Sequence, residues 1–204
     1  LSITNGYATL NQLKVWVGVG TADAVDDTMF EMAIESASRM VDDDCDRVFY
    51  ASGTAVARVF APSDHYVAHI DDAIAITSIQ TDEDEDGVYE TTWATTDYQT
   101  EPLNGVVGGQ AWPITRLRAI GTKRFDDDDA QATLKVTGQW GFGTATPIAI
   151  TQATLILASR IYKRADSPLG VAGFGDMGAM RVTRNDPDYS NLISRYIRTK
   201  VSTA

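Results

Sequence analysis

The chain has 204 residues, 44% of them apolar and 22% charged, the make-up of a globular protein long enough to bury a proper core. A formal net charge of −11 argues against a general nucleic-acid binder, which should be basic. No apolar run approaches the roughly 18 residues of a membrane-crossing helix, and the single cysteine, Cys45, excludes an internal disulfide and suits a reducing compartment.

The opening LSITNGYATL lacks the basic and apolar pattern of an export signal, so no export is expected. The charge is uneven along the chain. Residues 160–200 hold eight basic and four acidic side chains, a balance of +4, whereas the remainder stands at −15. A basic C-terminal segment on an acidic body suits docking to an acidic surface such as a neighbouring copy. Ordinary solvated helix charge accounts for it equally well.

In chain order, residues 7–17 read as a short helix, with Thr9 and Gln12 as a capping-box pair and Leu10, Leu13 and Val17 on one face. After the turn-rich GVGTADAVDD, a second helix starts near Asp26 or Asp27, with Thr28 and Glu31 as another candidate box. Its stripe of Phe30, Ala33, Ile34, Ala37, Met40, Val41, Cys45 and Val48 is the strongest helical period in the chain. Cys45 therefore reads as a buried structural thiol. Asp42, Asp43, Asp44 and Asp46 crowd the end of this helix, where acid opposes the dipole. They read either as a functional acidic patch or as a solvated helix end.

From residue 51 to 142 the period becomes alternating. Residues 56–60, 74–79, 88–93, 114–120 and 132–136 read as strands separated by Gly, Pro and Asp. The acidic runs DEDED (82–86) and DDDD (126–129) fall in turns between them. A third helix over 147–165 opens at Thr146-Pro147, a strong start signal. It is apolar around most of its circumference, the signature of a central post. Next comes the glycine-rich SPLGVAGFGDMGAM, then RVTR as a candidate short strand. A last helix begins at Asp186-Pro187 and buries Tyr189, Leu192, Ile193, Tyr196 and Ile197. The expected class is α+β: a small bundle of about four helices with a mostly antiparallel sheet inserted between the second and third. Residues 1–50 and 143–204 would form the bundle, and 51–142 the inserted β-rich part.

Three motifs invite a chemical reading. DEDEDG places Asp82, Asp84, Asp86 and Gly87 like the first half of a calcium loop, but its twelfth position is Trp93 where a bidentate carboxylate is needed. A hairpin turn with an acidic tip is expected, and no metal site is assigned. Gly173, Gly175 and Gly178 match G-x-G-x-x-G, yet they follow a helix rather than a strand. His65 and His69 lie in extended chain, where four residue steps hold the imidazoles too far apart to share an ion. No nucleophile–base constellation stands out, so no catalytic residue and no cofactor are expected.

The order of elements carries a resemblance. TLNQLKVWVGV and DDTMFEMAIESASRMVDDDCDRVF open it, and DGVYETTWATTDYQTEP follows. VTGQWGFGTATPIAITQATLILASRIYKRADSPLG and GFGDMGAMRVTRNDPDYSNLISRYIR complete it. Together these stretches resemble the head–tail connector (adaptor, or head-completion) proteins of long-tailed, siphovirus-type bacteriophages, over nearly the whole chain. The resemblance implies a structural virion protein made in the bacterial host cytoplasm, not an enzyme. Such a protein forms a ring of about twelve copies under the portal, extending the DNA channel and meeting the next neck or tail-completion protein. DNA would pass without sequence-specific binding, and no membrane is involved.

On this reading Phe174, Met177, Met180, Arg181 and Arg184 are the expected assembly interface, and Asp82, Asp84, Asp86, Asp126, Asp127, Asp128 and Asp129 are acidic-turn residues facing the channel. The competing readings are another neck or tail-completion protein and a calcium-dependent binding module around residues 82–87.

Overall fold

The computed structural model describes residues 2–126, 131–165 and 186–198. It divides into two compact units, Leu1–Arg47 with Thr146–Ala204, and Val48–Ala145. None of the described helices is long and apolar enough to cross a membrane.

The first unit is helical: α1 (Leu10–Val17), α2 (Asp27–Cys45), α3 (Ile148–Ala165) and α4 (Pro187–Ile193). Thr9 and Gln12 form the expected capping box of α1, and Gly18 ends it in the left-handed conformation. The α2 stripe is buried at Phe30, Ala33, Ile34, Ala37, Val41 and Cys45. Met40 and Val48 depart from the expected stripe and are exposed, while Ser38 is buried beside it. Ser38 is tolerated there because its hydroxyl donates to the Ile34 carbonyl (2.7 Å) and accepts from the Tyr7 N–H (3.1 Å).

α3 packs against α1, α2 and α4, which makes it the central post. It buries Ile150, Ala153, Leu155, Leu157 and Ala158, each large side chain contributing about 1.5–3 kcal/mol. Ile148, in its first turn, is exposed instead. Asp186 caps α4 through the Asp188 and Tyr189 N–H groups, with Pro187 at the first helical position. The chain then leaves the α-helix in a 3₁₀ turn at Ser194–Tyr196, so Ile197 is exposed rather than buried. The Arg198 N–H donates to the Cys45 carbonyl (2.9 Å), tying that exit to the end of α2.

The second unit is a six-stranded antiparallel sheet in the order β1-β8-β2-β7-β4, with β3 paired to β2, and a separate β5–β6 hairpin. Its strands are β1 (Val56–Phe60), β2 (Val67–Thr81), β3 (Thr91–Thr92), β4 (Tyr98–Glu101), β5 (Val106–Val107), β6 (Gln110–Ala111), β7 (Ile114–Ala119) and β8 (Leu134–Trp140). The long β2 is the spine, pairing with β7 near its start, β8 along its second half and β3 at its end. It begins well before the expected 74–79 run. The alternation fails at Asp71-Asp72 because the register with β7 shifts between His69 and Ala73. The expected strand over 88–93 shrinks to Thr91–Thr92, since residues 82–90 form one long turn.

The sheet's apolar face is built around Ile79, Leu117, Leu134, Val136 and Trp140. Trp93 and Phe125 stack at its edge, ring centroids 4.8 Å apart. At the far edge Glu101, nearly buried, accepts from Arg116 (2.8 Å) and Arg118 (2.7 Å) across the β4–β7 pairing. Two short ion pairs to one screened carboxylate hold this edge in register.

Candidate functional site

The expected site residues fall into two groups. Phe174, Met177, Met180, Arg181 and Arg184 lie outside the described residues, as do Gly173, Gly175, Gly178 and Asp127, Asp128 and Asp129. Asp82, Asp84, Asp86 and Asp126 are described, and Thr133 brings Asp126 beside the 82–90 turn. The Asp82 N–H donates to the Thr133 carbonyl (3.0 Å), and the Thr133 hydroxyl donates to the Asp126 carbonyl (2.6 Å). Gln131 bridges to Glu85 (2.9 Å). Beside them lies a cleft of about 350 Å³ lined by His65, Thr81, Asp82, Glu83, Arg124, Phe125 and Asp126.

The 82–90 turn is organised from within. The Gly87 N–H donates to Asp82 Oδ2 and the Val88 N–H to Asp86 Oδ1, both at 2.8 Å. Gly87 and Glu85 take positive φ, which lets the chain fold back on itself. Asp84 and Asp86 are exposed, as expected of an acidic tip, but Asp82 is only 3% exposed. The turn also recruits Glu90. One carboxylate oxygen from each of Asp82, Asp84, Asp86 and Glu90 lies within 4.8 Å of the others. Sequence reasoning passed over Glu90 because it occupies the ninth position of the loop pattern rather than the twelfth.

The acidic end of α2 has a structural use. Asp42 accepts from the Tyr7 hydroxyl and pairs with Arg39 (3.0 Å); Asp44 accepts from the Tyr189 hydroxyl (2.6 Å). These tyrosines anchor the N-terminal segment and α4 to α2. Burial, then the bond to Asp44, pushes the Tyr189 phenol well above its usual pKa. Burial, reinforced by Asp44, pushes the Cys45 thiol up to about 12, so at neutral pH it is protonated and inert. Lys14, 2% exposed, is held by Asp27 and by the carbonyls of Thr21 and Asp23. That buried cation locks the α1–α2 link and was not foreseen.

The histidines do not form a pair. His69 lies in β2, while His65 Nδ1 contacts the Phe125 carbonyl (3.2 Å) in the segment before it. The metal-capable group found among the described residues includes neither. On the helical unit, Val15 and Trp16 are exposed and, with Asn11, Gln12 and Leu155, line an apolar groove of about 330 Å³.

No protein-family model matches the chain, and no curated protein matches it in sequence. Solved structures do match, end to end. A chain in the neck of an empty gene transfer agent (GTA) particle, computed with C6 symmetry, is 15% identical with a TM-score of 0.59. A chain in the virion of a native GTA particle is 16% identical with a TM-score of 0.58. A third, in the neck of a native GTA particle computed with C12 symmetry, is 14% identical with a TM-score of 0.55. Each alignment covers 100% of this chain and 96% of the other. At these identities the likeness is one of fold.

Proposed function

We propose that the chain is a structural protein of the neck of a phage-like particle, a ring component that joins the DNA-filled head to the tail. The observation that carries this reading is the full-length fold likeness to chains of GTA neck and virion structures, inserted sheet included. The connector resemblance read from the sequence supports it independently. In this reading the helical part (1–50 and 143–204) is the connector core, and residues 51–142 elaborate one surface. The portal lies on one side, the next neck or tail-completion protein on the other, and the role is mechanical rather than catalytic.

A closed ring needs a heterologous contact, one patch of a copy against a different patch of the next. Phe174, Met177, Met180, Arg181 and Arg184 supply apolar and basic groups for one half of it, against a body whose charge is −15. The acidic end of the sheet, with Asp84, Asp86 and Asp126, faces the channel in this arrangement. Carboxylates there repel phosphate and let DNA slide, whereas basic groups would hold it.

The test is absolute mass in solution by light scattering, across protein concentration and salt. The expected species is a closed assembly of about twelve copies of the 22.1 kDa chain, weakening as salt screens the basic segment. A stable two-fold dimer would contradict the reading, because self-complementary pairing builds no ring.

A further inference from the structure

We propose that the β2–β3 turn is a calcium site formed by Asp82, Asp84, Asp86 and Glu90, independent of what the chain assembles with. Two separate observations carry it. The first is convergence: four carboxylates, one oxygen from each, lie within 4.8 Å of one another. Among the described residues none of the four forms an ion pair, so like charges are gathered without a protein cation between them. The second is the state of Asp82. It is 3% exposed, its Oδ2 accepts the Gly87 N–H, and its Oδ1 has no hydrogen-bond partner. A buried carboxylate oxygen left unpaired is costly, and a bound cation removes that cost.

The donor set chooses the ion. All four side chains offer oxygen and none offers nitrogen or sulfur, which selects a hard cation. Calcium–oxygen distances of about 2.4 Å place opposite ligands about 4.8 Å apart, so the four oxygens fit around one ion. Magnesium needs near-ideal octahedral geometry and dehydrates reluctantly. Three of these carboxylates are exposed on a turn, an adaptable shell that suits the larger ion. Water completes the coordination on the open side. Asp82 serves as the fixed ligand, since the Gly87 N–H holds its carboxylate from behind.

The experiment uses the full chain, stripped with a chelator and titrated with calcium chloride by calorimetry, with thermal unfolding in parallel. One calcium binds per chain with a Kd of about 10⁻⁵ to 10⁻³ M, and Tm rises as calcium is added. Magnesium chloride binds at least about tenfold more weakly. Asp84→Asn and Glu90→Gln change exposed residues and leave folding intact, yet each weakens calcium binding about tenfold or more. In chelator both variants melt at or above the unaltered protein, because each removes a mutually repelling charge. Melting that does not fall separates an ion site from a merely structural turn, in which the same variants melt lower. Absence of calcium heat and of any Tm response would overturn the proposal, as would a response undiminished in both variants. Magnesium binding as tight as calcium would overturn the choice of ion.

Discussion

Replacing Gly141 with alanine should collapse the β-rich unit. Gly141 follows β8 at φ +125°, a conformation that L side chains rarely adopt. A Cβ there would lie 2.1 Å from the Tyr50 carbonyl oxygen, 2.9 Å from its carbon and 3.0 Å from the Ala51 Cα. All three are backbone atoms, so no side chain can swing aside. Nor can the segment move away cheaply. The Ser52 N–H donates to the Trp140 carbonyl (2.7 Å) and the Phe142 N–H to the Val48 carbonyl (3.0 Å). The Gly141 N–H itself donates to the Asp72 carbonyl (2.8 Å). Separating these segments also pulls on Trp140, whose indole N–H donates to the Val56 carbonyl (2.7 Å).

Strain and lost bonds together should cost about 3–5 kcal/mol, a large part of a domain's marginal stability. Thermal unfolding followed by circular dichroism should show Tm lower by about 15 °C or more, or no cooperative transition. Gly53→Ala is the control: an added Cβ there meets nothing within 4 Å, and Tm should scarcely move. A Gly141→Ala protein melting within a few degrees of the original would refute the account of this junction.

Replacing Phe174 and Met177 together with aspartate should abolish assembly while leaving the fold intact. The two large apolar groups belong to a glycine-rich stretch that also carries Met180 and the basic Arg181 and Arg184. If this stretch docks on the acidic body of the next copy, two new carboxylates introduce like-charge repulsion. They also remove about 1.5–3 kcal/mol of burial per side chain. In a ring the loss recurs at every interface, so assembly should disappear outright. Light scattering should give the mass of a single chain at concentrations where the original forms the large species, with an unchanged circular dichroism spectrum. An unaltered mass would remove these residues from the interface.

Local signals in the sequence led to most of the helical unit. The Thr9–Gln12 box, the Phe30-to-Cys45 stripe and Asp186-Pro187 all act within one or two turns of chain, where spacing alone is decisive. Long-range partners were not legible. Thr28 and Glu31 promised a capping box, but the N-cap of α2 is Asp26, whose side chain makes no capping bond. The Asp26 carboxylate is occupied by the Tyr162 hydroxyl (2.8 Å), whose ring packs on Phe30. The acids ending α2 looked misplaced for the same reason, since Tyr7 and Tyr189 reach them from distant segments.

In the sheet, alternation located β1, β7 and the first three residues of β8, but missed the rest of β8 and failed at the Asp71-Asp72 irregularity and in the two-residue strands. Gly108-Gly109, both at positive φ, was a readable hairpin signal for β5–β6 that periodicity alone passed over. Of the acidic cluster, Asp82, Asp84 and Asp86 were visible as a pattern. The burial of Asp82 and the arrival of Glu90 depend on how residues 82–90 fold back.

The central claim, a ring protein of the neck, is tested most directly on particles assembled in cells from which this chain's gene has been deleted, viewed by electron microscopy. The account predicts DNA-filled heads and separate tails that fail to join, restored to joined particles when the chain is supplied from a plasmid. Complete tailed particles in its absence would contradict it.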